Sequence, residues 1–147
     1  MAEGEYFLLA HVWIENPDGK YLITKRAQHK TFGGMWECPG GCAVAGEESI
    51  DTALREVREE VGIALDPAKG KRIHQCTYDA IRAVCDVWHF THPVTPEMVI
   101  LQEDEVTDHR LLTPEEIMRL LDSGEFIPVY GYMEWLFNPE EKQLWNS

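Results

Sequence analysis

The chain has 147 residues, 44% of them hydrophobic and 10% aromatic, enough to bury one core, with neither low-complexity tracts nor an internal repeat. Thirteen basic against 26 acidic residues give a formal net charge of −13, which works against binding polymeric nucleic acid through its phosphates. No segment approaches the length of a membrane span, and Met1-Ala2-Glu3-Gly4-Glu5 lacks a basic stretch leading into an apolar run, so a single cytoplasmic domain over 1–147 without a membrane partner is expected.

In chain order, Phe7 to Ile14 and Tyr21 to Lys25 read as strands joined into a hairpin by Asn16-Pro17-Asp18-Gly19, with proline presetting the turn and glycine free to take positive φ. Glycines then crowd at Gly33-Gly34 and Gly40-Gly41 around Met35-Trp36-Glu37-Cys38-Pro39, a composition suited to a loop whose backbone must approach a phosphate or metal closely. A helix through Arg55-Glu56-Val57-Arg58-Glu59-Glu60-Val61 ends at Gly62, a residue suited to a left-handed cap. Strands are expected over Ile73–Arg82 and Val84–Thr91, and another over Met98–Leu101. Thr113-Pro114-Glu115-Glu116 supplies an N-cap, proline at the first helical position and a capping-box glutamate for a helix to about Leu121. A last helix is expected over Tyr130–Phe137.

The chemistry concentrates in the first helix. Glu56, Glu59 and Glu60 stand at i, i+3 and i+4 and leave one face within a turn of each other. Ile50, Ala53, Leu54, Val57 and Val61 form the buried stripe, so the glutamates are expected on the opposite, exposed side. Three neighbouring anions repel unless a cation joins them, and hard oxygen ligands without a histidine favour Mg²⁺ or Mn²⁺ over zinc. Cys38, Cys42, Cys76 and Cys85 lack paired zinc-ligand spacing and are expected to be reduced and mostly buried. His11, His29, His74, His89, His92 and His109 are too scattered to suggest a ligand cluster. Arg55, four residues before Glu59, is placed to pair with it.

The full spacing runs from Gly41 to Ile63: glycine, five residues, glutamate, seven residues, then Arg55-Glu56-Val57-Arg58-Glu59-Glu60-Val61-Gly62-Ile63. A chance match at a given start is on the order of one in 10⁸. This stretch resembles the signature of the Nudix hydrolase family. The resemblance implies an α/β/α sandwich with a mixed sheet, and Mg²⁺-dependent hydrolysis of the diphosphate linkage in a nucleoside diphosphate derivative: a nucleotide, nucleotide sugar, dinucleotide or coenzyme. It implies Mg²⁺, with Mn²⁺ as a substitute, held by Glu56, Glu60 and a Gly41 carbonyl. Glu59 either bridges a second metal or takes the water proton, with Glu103 or Glu105 of the later acidic loop as the alternative base, and Glu47 has a supporting part. A homodimer is one assembly the resemblance leaves open.

Two other readings share the fold. Thr24-Lys25-Arg26-Ala27, Gly34-Met35-Trp36 and Asp104-Glu105-Val106-Thr107-Asp108 resemble isopentenyl diphosphate isomerase. Its catalytic cysteine falls here at Gly40, however, and two of its metal-binding histidines fall at Phe7 and Cys42. A non-catalytic nucleotide-binding module would be expected to have lost the metal ligands that this chain keeps. Substrate markers are weaker. Leu22 to Ala27 with Cys38-Pro39-Gly40-Gly41 partly resembles the coenzyme A diphosphatase subgroup, with Cys38 where phenylalanine is usual. Trp36, Tyr78, Trp88 and Phe90 are of a type that stacks on nucleobases, though aromatic residues in strands more often fill the core. Trp135, Phe137 and Trp145 are placed to cover the core or a partner.

Overall fold

The computed structural model describes residues 6–128 and 130–138. Its strands are β1 (Phe7–Glu15), β2 (Tyr21–Arg26), β3 (Trp36–Glu37), β4 (Gly40–Cys42), β5 (Gly70–Tyr78), β6 (Ala83–Thr91) and β7 (Val106–Leu112). The helices are α1 (Ser49–Val61), α2 (Pro114–Asp122) and the short α3 (Met133–Leu136). The sheet is mixed. It runs β3-β2-β1-β6-β5, with β4 also paired to β1 and β7 to β2.

Alternation along β1 and β2 sends side chains into two separate cores. Ala10, Val12, Ile14 and Leu22 pack with Ala53, Val57 and Val61 of α1. Trp13, Tyr21 and Ile23 face the other way, onto Ile117 of α2 and Met133 and Leu136 of α3. Helices on both faces of one mixed sheet make the expected α/β/α sandwich.

Several expectations need correction. Gly19 takes φ 76° and the Asn16 turn forms, but β1 and β2 pair only at Glu15 and Tyr21 before diverging. A strand has two edges. β6 lies parallel along the whole of β1, and β4 takes Leu9 to His11 on the edge a continued hairpin would need. Met98–Leu101 is no strand: Pro96–Met98 is a 3₁₀ turn, after which the chain crosses the end of α1, Ile100 N–H donating to Val61 O at 2.9 Å. The sequence reading missed β7, whose polar face alternates too weakly to signal itself, and the short β3 and β4, which lie where a glycine-rich loop was expected. The last helix is only Met133–Leu136, because Tyr130 and Tyr132 are drawn into the core by His11, Trp13 and Cys38. Trp135 and Phe137 cover their own chain's core; Trp145 lies outside the described residues. Cys38 and Cys85 are buried, whereas Cys42 is exposed.

The helix ends behave as their sequences require. α1 starts in a capping box between Glu48 and Asp51 and stops at Gly62, φ 72°. In α2, Thr113 and Glu116 cap each other reciprocally, a device worth about 1 kcal/mol.

Candidate active site

Loop, strand and helix meet where β4 lies against α1. Gly41 is pressed so closely on Glu56 that a Cβ there would stand 2.7 Å from both carboxylate oxygens. Only glycine leaves room for that side chain. One residue earlier, Gly40 N–H donates to Glu60 Oε2 at 2.9 Å.

The glutamates do not share one exposed face. Glu60 is 8% exposed, because its position on the helix wheel borders Val57 and Val61 and the chain after Val99 closes over it, Gln102 N–H donating to Glu60 O at 3.0 Å. Glu56 is half-buried and Glu59 exposed. Burial raises the Glu56 carboxyl above its usual range, with Glu59 and Glu105 adding to the rise and Arg55 opposing it. Glu60 is raised further by burial, helped by Glu37 and Glu56.

Arg55 organises the acidic face. Its Nε and Nη2 bond Glu47 at 2.7 and 3.1 Å, Nη1 bonds both Glu56 and Glu59 at 3.0 Å, and Nη2 reaches Cys42 O at 2.9 Å. The expected pairing with Glu59 is therefore one contact of five. The guanidinium holds Glu47 down to about 2, which leaves Glu47 an anion anchored as Arg55's partner.

The later loop is also brought in. Ala27 N–H donates to Glu105 O at 3.0 Å, and Lys30 forms an ion pair with the Glu105 carboxylate. Glu105 comes near enough to raise Glu56, while Glu103 stays exposed. Sequence reasoning missed Glu37. It is bonded by Arg26 Nη1 at 3.0 and 3.2 Å, is raised by burial, and adjoins Glu60. Its place immediately before Cys38-Pro39-Gly40-Gly41 was the available signal.

Among the described residues, no group of three or more His, Cys, Asp or Glu is placed to hold a metal ion. Fewer side chains suffice for an ion such as Mg²⁺, which takes one or two carboxylates and fills its remaining positions with water and substrate phosphates. Arg26 serves Glu37, Lys30 serves Glu105 and Arg55 serves Glu47, Glu56 and Glu59. Glu60, the most buried of these carboxylates, accepts a backbone N–H, and among the described residues no cationic side chain is in contact with it, Lys30 opposing its rise only from a distance.

A cavity of about 360 Å³ opens beside these groups, with Glu37, Gly40, Gly41 and Cys42 on its wall. A larger one, about 630 Å³, lies around Glu15 and Lys69 at the far end of β1, away from the carboxylates. None of the four aromatic candidates lines the smaller cavity. Trp36 and Phe90 are buried in the cores, Tyr78 Oη donates to Tyr130 O at 2.7 Å, and Trp88 Nε1 donates to Ser49 Oγ at 2.9 Å. Cys38 is buried with Sγ 3.5 Å from Tyr130 Oη, and burial pushes its thiol up. It is unsuited to act as an isomerase's proton-transfer cysteine.

Comparison with known proteins agrees with this geometry. The NUDIX domain model matches residues 6–132. An uncharacterised Nudix hydrolase of Listeria monocytogenes is 40% identical over 140 residues, covering 94% of this chain and 81% of its own. An RNA pyrophosphohydrolase of Gluconacetobacter diazotrophicus is 36% identical over 69 residues, 44% of this chain and 41% of its own. Among solved structures, the MutT protein of Methanosarcina mazei superposes with a TM-score of 0.76 at 23% identity, covering 97% of this chain and 99% of its own. Among the described residues no helix is long and apolar enough to cross a membrane.

Proposed function

The chain belongs to the Nudix family and is a hydrolase; from that premise we propose that it cleaves the diphosphate linkage of a nucleoside diphosphate derivative, with Mg²⁺ or Mn²⁺ held by Glu56, Glu60 and the Gly41 carbonyl. The observation that carries this reading is Glu60: a carboxylate 8% exposed, influenced by Glu37 and Glu56 and, among the described residues, without a cationic side chain in contact. Such a group is costly unless a cation joins it.

Bound there, a divalent ion would withdraw charge from the phosphate oxygens and lower the pKa of the attacking water. The chain's own part is positioning. Gly40 N–H orients Glu60, the missing Cβ of Gly41 admits Glu56, and Arg55 fixes Glu56 and Glu59 by shared bonds from one nitrogen. Glu59 is exposed and held at one point, free to bridge a second metal or accept the water proton; Glu105, across the site and paired with Lys30, is the other base. The reading extends to one cytoplasmic domain over 1–147 acting on small molecules.

The experiment is a nucleotide panel incubated with and without Mg²⁺ in ¹⁸O-labelled water. Metal-dependent cleavage with label in one phosphate product is expected. If all nucleoside diphosphate derivatives stay intact while isopentenyl diphosphate is converted to its dimethylallyl isomer, this reading is wrong.

A further inference from the structure

Among the described residues, two that are not glycine hold left-handed backbone: Phe32 at φ 58° and Arg82 at φ 51°. Neither is Asn or Asp, the types that tolerate this region, so each conformation is strained and persists only where its surroundings impose it. Around Phe32 the imposition comes from Arg26, whose Nε donates to Thr31 O at 2.8 Å and whose carbonyl accepts from Gly34 N–H at 2.9 Å. Around Arg82, its N–H donates to Asp79 O at 3.2 Å and its carbonyl accepts from Phe7 N–H at 2.7 Å.

Both turns abut the 360 Å³ cavity, and each presents an apolar side chain to it: Phe32, 43% exposed, and Ile81, 60% exposed. Core packing does not account for them, since neither belongs to either core cluster. Several polar side chains of the cavity already have protein partners. Arg26 is paired with Glu37, His11 Nδ1 with Tyr132 Oη at 2.7 Å, and Cys38 with Tyr130. Leu9 and Ile127 complete an apolar wall that leads to Gly40 and Gly41.

We infer that Phe32 and Ile81 are specificity-determining residues that clasp the planar heteroaromatic base of the substrate while its diphosphate lies toward Gly40 and Gly41. The inference rests on the hydrolase reading above and adds the part of the substrate that reading left open. An exposed phenyl face suits a flat ring, and stacking accepts any base because every base has a π-face. With Arg26, Glu37 and His11 already partnered, bases are discriminated chiefly by stacking area. Purine derivatives are favoured over pyrimidine ones, with little preference between adenine and guanine.

The test uses Phe32→Ala, Phe32→Gly and Ile81→Ser in the full chain. KM for purine nucleotide substrates should rise about tenfold in each, the scale of a lost base–aromatic contact, with kcat within about twofold. Mn²⁺ affinity measured without nucleotide should not move. Phe32→Gly should keep or raise Tm, because glycine relieves the left-handed strain; Phe32→Trp should retain the wild-type KM. Unchanged KM in Phe32→Ala, or a fall in Tm in Phe32→Gly, would overturn the inference and leave the hydrolase reading standing. So would wild-type turnover of alkyl diphosphates in preference to nucleotides. A wild-type protein that neither cleaves nor binds any nucleoside diphosphate would end both.

Discussion

Gly40 N–H donates to Glu60 Oε2 at 2.9 Å, joining residues twenty positions apart and fixing the most buried carboxylate of the acidic site. Because that bond asks only for an acceptor oxygen, a glutamine can keep it while removing the charge.

Glu60→Gln should therefore separate function from stability. Burial raises the folded-state pKa of Glu60, so the stability linked to its protonation is present at low pH and lost as pH rises through the folded value. Glutamine imitates the protonated form. At pH 8 without metal the variant should be at least as stable as the wild type, by up to about 2 kcal/mol in urea unfolding. Its kcat should fall roughly a hundredfold or more, and the rise in Tm that Mg²⁺ gives the wild type should shrink. Undiminished turnover would remove Glu60 from the metal site.

The two adjacent glycines should fail in different ways. A Cβ on Gly40 would meet the Ala10 carbonyl, which is backbone and cannot yield, whereas one on Gly41 meets the end of the Glu56 side chain. Gly40→Ala is expected to lose about 2 kcal/mol or more of stability. Gly41→Ala should stay within about 1 kcal/mol while Mn²⁺ affinity, measured by calorimetry, drops at least roughly tenfold. Equal destabilisation of the two would mean that Glu56 is not free to move.

The general base is decided by pH–rate profiles. If Glu59 takes the proton, Glu59→Gln should flatten the acidic limb of the kcat profile and Glu105→Gln should retain it. The reverse result assigns the role to Glu105 across the site. Small, equal effects would show that the activated water needs neither.

His11 gives the fold a pH dependence of its own. Burial lowers its imidazole to about 4 from an ordinary 6.5, so the unfolded chain binds the extra proton first and stability falls as pH drops from about 6.5 to 4. Raised carboxylates such as Glu56 tilt the wild-type curve the other way, so the comparison is between wild type and His11→Gln. The variant should lose about 1–2 kcal/mol less between pH 7 and 4.5. Parallel curves would place the imidazole in a solvated setting.

Much of the site was legible in the sequence because its determinants are local. The spacing of Glu56, Glu59 and Glu60, the pairing of Arg55 with Glu59, the Gly62 stop and the Thr113–Glu116 cap all depend on residues within a turn or two of each other. The expected exposure of the three glutamates was wrong for Glu60 because the hydrophobic stripe of α1 says which residues touch the sheet, not what else will cover the helix.

That covering comes from distant segments. The loop carrying Gln102 closes on the end of α1, the Ala27 N–H holds Glu105 at the site, and Arg26 turns both Glu37 and the Phe32 turn toward the cavity. Sequence alone determined the family, the sandwich and the spacing of the carboxylates along α1, since helix periodicity and glycine geometry act over short range. Tertiary structure alone decided which carboxylate is most deeply buried, that Glu105 of a later loop comes near Glu56, and which apolar side chains wait at the cavity, since desolvation depends on strand pairings between residues far apart in the chain.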